Sequence, residues 1–191
     1  MKFIDKKTIQ IDRELSDLDK FTIDFIKILE KHTKYVIVSG YVAILLGRAR
    51  ASEDVDIIFP RIDFSTFKLL YNDLKKNSFY CLNAEEEKTV YSYLEDSLAV
   101  RFAKKDSMIP NIEMKWIKNE FDKIALEKTI DVRIKKETLS ISHLELQIAF
   151  KEDVLKSPKD MEDAEHIKDV AKEYLDNKLI QKYKEMLHGF Y

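Results

Sequence analysis

Two aspartates, Asp54 and Asp56, stand one residue apart inside the apolar run Val55-Asp56-Ile57-Ile58-Phe59. On a strand, residues i and i+2 leave the same face about 7 Å apart along the backbone, so both carboxylates present oxygen to one or two divalent cations. Two like charges on a half-buried strand are costly unless something positive lies between them. A turn-and-strand edge with Asp54 as a cap is the bland alternative, and two acids within so apolar a run argue against it. Upstream, Ser39 and Gly40 follow the apolar segment Tyr35–Val38 and open the stretch Tyr41–Leu46. That arrangement places backbone N–H groups at the start of a helix, where a phosphate can dock; small residues there also suit an ordinary strand-to-helix turn.

Further candidates lie later in the chain. Glu113 in Asn-Ile-Glu-Met-Lys and Asp131 in Thr-Ile-Asp-Val-Arg each put an acid between apolar residues on a strand-like alternation. Lys151 lies three residues after Ile148 and four before Leu155, close to the buried stripe of its helix, where a lysine needs an anionic partner. Asp160 and Asp163 are three apart, share a helix face and suit the positive end of the helix dipole. A snorkelling Lys151 and two ordinary helix-start acids are the competing explanation. Arg48 and Arg50 have a similar one, simple pairing with Glu53 or Asp54. The four histidines show no ligand spacing, which argues against zinc, and Ser39 has no nearby histidine base, which argues against a hydrolase.

Ser39-Gly40, the following helix, and Arg50-Ala51-Ser52-Glu53-Asp54-Val55-Asp56 together resemble the nucleotidyltransferase superfamily related to DNA polymerase beta. The likeness is closest to AbiEii-like and minimal nucleotidyltransferases, many of them toxin–antitoxin components. The family pair is usually Gly-Gly or Gly-Ser, so Ser39 is a departure at a place where glycine adopts conformations that serine does not. The resemblance implies Mg²⁺ or Mn²⁺ held by Asp54, Asp56 and a third acid on a neighbouring strand. It favours Glu113, in a strand before a short helix and a further hairpin, over Asp131, which it places in that hairpin. Aspartate is the usual third acid, so Glu113 is a second departure. The segment Lys151 to Ala164 looks like the closing motif of the family, which implies nucleotide contacts for Lys151, Asp160 and Asp163 beside those of Ser39, Gly40 and Arg50. The implied activity is transfer of an NMP from an NTP to a hydroxyl on RNA or tRNA, a protein or a small molecule, with a toxin or antitoxin partner in prospect. The alternative is a weak or inactive relative that keeps the fold as a nucleotide-binding or partner-binding module.

The elements that must position these residues alternate and then turn wholly helical. Ser16 caps a helix over about 17–32; strand 35–38, helix 40–46 and strand 55–59 follow. Asp63 caps a helix to Lys76, ahead of a strand at 79–82, an acidic helix at 84–95, and strands at 98–102 and 109–116. A short helix at 119–126 and a strand pair at 130–134 and 138–141 complete an α/β core, residues 1–141, which the resemblance implies to be a nucleotidyltransferase core with a mixed β-sheet flanked by helices. Residues 142–191 read as a C-terminal helical segment packed on that core. A capping box Ser142-x-x-Glu145 opens its first helix, to about Leu155; Ser157-Pro158 opens the second and Asp176 the third. With 45% hydrophobic residues, a net charge of −2 and one cysteine, the chain reads as a cytoplasmic enzyme in a reducing compartment with a sizeable core. It has neither a membrane span nor a signal peptide by sequence, and Cys81 reads as core packing.

Overall fold

Strand alternation decides which side of the sheet each residue faces, and the strand Asp54–Phe59 (β4) shows how. In the computed structural model, which describes residues 1–190, Val55, Ile57 and Phe59 enter the main core with Phe67 and Leu70. Asp54, Asp56 and Ile58 leave by the other face, where Ile58 packs with Phe121, Leu146 and Tyr183. Among the described residues nine strands, β1 (Lys2–Asp5), β2 (Thr8–Ile11), β3 (Val36–Val38), β4, β5 (Phe79–Cys81), β6 (Val100–Lys104), β7 (Asn111–Trp116), β8 (Thr129–Ile134) and β9 (Glu137–Ser142), form one mixed sheet, in the order β1-β2-β8-β9-β3-β4-β7-β6-β5. Those that position the site are β3, β4, β7 and β6. β3 pairs antiparallel with β4, β4 parallel with β7, and β7 antiparallel with β6.

Helix α1 (Asp17–Leu29) and α3 (Phe64–Lys76) cover the main-core side, and their caps are the ones sequence chemistry requires. Ser16 and Asp19 form a reciprocal capping box, and Asp63 accepts from the Thr66 N–H at 2.7 Å. Helix α2 (Gly40–Leu45) joins β3 to β4. On the site face, α5 (Glu120–Glu127), α6 (Leu144–Phe150) and α8 (Asn177–His188) bury Phe121, Ala125, Leu146, Ala149, Tyr183 and Leu187 against Val36 and Ile58. Helices α6 and α8 therefore pack directly on the sheet. Helix α7 (Pro158–Ala171) begins at Ser157, whose hydroxyl accepts from the Asp160 N–H at 3.2 Å, and Asp176 caps α8.

Three sequence expectations change. Two short strands, β1 (Lys2–Asp5) and β2 (Thr8–Ile11), extend the sheet before α1; β2 pairs in parallel with β8 (Thr129–Ile134), a partner that no local pattern reveals. Ser142 does not cap a helix. It is the last residue of β9 (Glu137–Ser142), opposite Thr129, and the ladder holds its backbone extended; Glu145 accepts instead from the Asp176 N–H at 3.1 Å. The helix expected to run evenly to Leu155 is α-helical only to Phe150 and then widens into a π-helical turn over Lys151–Leu155, closed by Lys156 in the left-handed region. No helix of the described residues is long and apolar enough to cross a membrane. Cys81 is buried, as core packing requires.

α1 is joined to α2 by a buried polar contact. The Tyr41 hydroxyl donates to Asp19 at 2.7 Å, and Asp19, fully buried, also receives Arg13 and the Ser16 N–H. Burial alone would raise the Asp19 carboxyl; the hydrogen bonds from Arg13, Tyr41 and Ser16 outweigh it and hold the group below the usual carboxylate range. Tyr41→Phe removes one donor from a buried charge without emptying the site, so urea unfolding should show a loss of about 1–3 kcal/mol.

Candidate active site

β4 brings Asp54 and Asp56 to the strand end beside the β3–α2 turn, and the sheet register decides which acid joins them. Across the parallel β4–β7 pair, Asp56 lies opposite Glu113, on the same face. Asp131 is on β8, paired with β2 and β9 and separated from β4 by β9 and β3; its carboxylate accepts from the Ser140 hydroxyl at 3.3 Å. Glu113 and Asp56 both line a cavity of about 220 Å³ between the sheet face and the helices α5 and α6, with Ser39, Gln147 and Lys151 also on its wall.

Asp56 is the group most perturbed by this setting. Burial pushes its carboxyl up to about 6; the Ser39 hydroxyl hydrogen-bonds it and opposes the rise, while the charges of Asp54 and Glu113 add to it. Ser39 itself has φ 64° and ψ −139°, a left-handed conformation costly for a residue with a Cβ. Its N–H donates to the side-chain carbonyl of Gln147 at 3.0 Å. This contact was not legible in the sequence, since the two residues lie far apart in the chain.

Hard oxygen donors in this arrangement suit Mg²⁺ or Mn²⁺ by type. The negative charges of Asp54 and Glu113, which add to the effect of burial on Asp56, are what a cation would relieve. Among the described residues, however, no three of His, Cys, Asp or Glu are already gathered as metal ligands. Glu113 is engaged elsewhere: Arg101, directly opposite on β6, donates to its Oε2 from Nε at 2.8 Å and from Nη2 at 2.5 Å. No local sequence pattern marks Arg101 as a partner of Glu113, since the two are joined only by the β6–β7 pairing.

The expected phosphate-binding cations converge on one carboxylate. Asp163, with 0% side-chain exposure, receives Arg48, Arg50 Nη1 at 2.5 Å and Lys151 Nζ at 2.8 Å. Lys151, 1% exposed, reaches Asp160 as well, at 3.2 Å, and Arg48 pairs also with Glu162. Arg48 and Arg50 thus pair across to α7, and not with Glu53 or Asp54 as sequence proximity suggested. Asp160 and Asp163 enter the site as counter-ions of these cations. Gly40 permits the packing: the Arg50 guanidinium lies 3.0 Å from where a Cβ would stand.

No protein-family model matches the chain, and no curated protein sequence matches it. Solved structures do share its fold. An antigenic nucleotidyltransferase-like protein from Paracoccidioides brasiliensis is 16% identical with a TM-score of 0.52, over 91% of this chain and 88% of that one. ANT(2")-Ia, solved in complex with adenylyl-2"-tobramycin, is 12% identical with a TM-score of 0.55, over 91% of this chain and 99% of that one. At these identities the likeness shows the fold, and the chain has a nucleotidyltransferase fold.

Two outcomes follow from this geometry. The folded protein binds the Asp56 proton more tightly than the unfolded chain, whose ordinary value is 3.8, so stability from this group is greatest below about pH 4 and is lost as pH rises through about 6. Asp56→Asn removes that loss. Its advantage in thermal unfolding over the wild type should be on the order of 2–3 kcal/mol near pH 7 and should vanish near pH 4. Asp163→Asn should do the reverse: three cations lose their shared buried partner, and chemical denaturation should show a loss of about 3–5 kcal/mol.

Proposed function

We propose that the protein is a metal-dependent nucleotidyltransferase that moves an NMP from an NTP to a hydroxyl acceptor. The observation that carries this reading is the register of β4 and β7, which sets Glu113 opposite Asp56, two residues from Asp54, on the wall of a cavity that Ser39 also lines. Asp54, Asp56 and Glu113 are the residues that would hold Mg²⁺ or Mn²⁺. Such an ion, when bound, neutralises charge on the attacking oxygen and on the pyrophosphate leaving group.

The chain's own residues prepare the site. Asp56 is half ionised at about pH 6, so its readiness to take a cation should rise as pH increases through that value. Ser39 and Gly40 offer their backbone to the triphosphate once Gln147 turns aside from the Ser39 N–H. Arg50 and Lys151, fixed by Asp163 and Asp160, supply positive charge without needing to be ordered at the moment of binding. The acceptor hydroxyl in this proposal belongs to RNA or tRNA, a protein, or a small molecule. The adenylylated tobramycin bound by one fold neighbour supports the last of these. A toxin–antitoxin partner rests on the motif resemblance alone.

A specific observation favours the second reading, an inactive module that binds nucleotide or a partner: the cations expected to meet phosphate are already matched by Asp160, Glu162 and Asp163. One experiment separates the two. The protein is incubated with each α-labelled NTP, Mg²⁺ or Mn²⁺, and total RNA, protein or an aminoglycoside. Metal-dependent label on an acceptor, reduced at least about a hundredfold in Asp56→Asn, is the expected result. Metal-independent labelling, or labelling that Asp56→Asn leaves intact, refutes the reading; NTP binding with no transfer to any acceptor class supports the inactive module.

A further inference from the structure

Three charged residues stand in one row across three strands. Asp56 on β4 lies opposite Glu113 on β7, and Glu113 lies opposite Arg101 on β6. Directly opposed side chains on one sheet face are within reach of each other. Glu113 has answered to Arg101, since both guanidinium donors fall on the single oxygen Oε2. Its negative charge still reaches Asp56 and helps to raise it. The glutamate thus stands between two claims, a guanidinium on one side and a carboxylate pair short of positive charge on the other.

The backbone around Arg101 is pinned. Its N–H donates to Asn83 Oδ1 at 2.7 Å, and its carbonyl accepts from the Leu82 N–H at 2.8 Å. What is free to move is the side chain, 52% exposed in Arg101 and 23% in Glu113. Lys115, the other cation on this face of β7, is occupied differently, 3.9 Å from Asp122. Arg101 is therefore the group that decides where the Glu113 carboxylate points.

We infer that Arg101 is a positioning residue that keeps Glu113 in reserve, its guanidinium taking a cation's place on Glu113 until a divalent ion held by Asp54 and Asp56 draws the carboxylate across. This rests on the metal-site reading above. The step is an exchange of partners: the Glu113 oxygen leaves the two Arg101 N–H donors and turns to the ion, and Arg101, half exposed, returns to water. No proton moves. Loss of the Arg101 contact therefore makes metal binding easier, and does so only through Glu113.

Mn²⁺ titration followed by the electron paramagnetic resonance of the free ion tests this on the whole chain, with melting curves confirming that each variant is folded. Arg101→Gln should bind Mn²⁺ about fivefold more tightly than the wild type, the factor that an exposed ion pair is worth. The gain should disappear when Arg101→Gln is made in a Glu113→Gln background, because a double-mutant cycle isolates the pair. A gain of the same size in that background would mean a general effect of charge and would overturn the inference, as would weaker or unchanged binding in Arg101→Gln. Those failures are distinguishable from failure of the metal site itself. Mn²⁺ binding that Asp56→Asn leaves intact, or no binding by the wild type, would overturn both.

Discussion

The rest of the site depends on one buried carboxylate. Asp163 has no exposure, and three cations from two parts of the chain close on it: Arg48 and Arg50 from the loop between α2 and β4, and Lys151 from the π-helical turn after α6. A charge taken out of water at such a place is tolerated only when it is paired and hydrogen-bonded. The consequence is mechanical as well as electrostatic. The loop that leads into Asp54 is tied to the C-terminal helices, and those helices carry Gln147 and Lys151 to the cavity wall.

The local conformations follow from this closure. The Arg50 guanidinium lies against Gly40, 3.0 Å from where a Cβ would stand, so a larger residue there would push it from its place beside Asp163. One residue earlier, Ser39 holds a backbone conformation that glycine would take without strain, but its hydroxyl reaches Asp56 and lowers the cost of burying that carboxylate. Strain in the backbone and relief at a charge thus belong to the same residue. The π turn has a comparable logic: an α-helix carried on through Lys151 has 3.6 residues per turn, and the wider turn changes the side to which the following side chains point. Here it leaves Lys151 buried against Asp160 and Asp163, while Glu152 and Asp153 pair with Lys168, Lys184 and His188 on α7 and α8.

Opposite charges organise the other end of the cavity by sheet register. Asp56, Glu113 and Arg101 are adjacent because β4, β7 and β6 are neighbours, although β5 and two helices intervene in sequence between β4 and β6. The apolar residues between them, Val55, Ile57, Ile112 and Met114, bury the opposite face and so lock the register, since a slip of one residue would exchange acids for core. The same packing that stabilises the sheet therefore sets the spacing of the charges.

What the sequence determined by itself was local. The period of two puts Asp54 and Asp56 on one face, and the chemistry of Ser16, Asp63, Ser157 and Asp176 marks four helix starts, because caps and strand alternation involve residues within a few positions of one another. Composition and spacing also led to the α/β architecture and to an anionic partner for Lys151. The tertiary structure decided everything that needed a distant residue. It chose Asp160 and Asp163 as that partner, turned Arg48 and Arg50 away from their sequence neighbours, gave Ser39 its contact with Gln147 and Glu113 its contact with Arg101, and drew β2 onto β8. Ser142 shows the limit most plainly: its capping-box spacing is a local signal, and the ladder with β8 overrode it because a strand pairing of six residues outweighs a single side-chain cap.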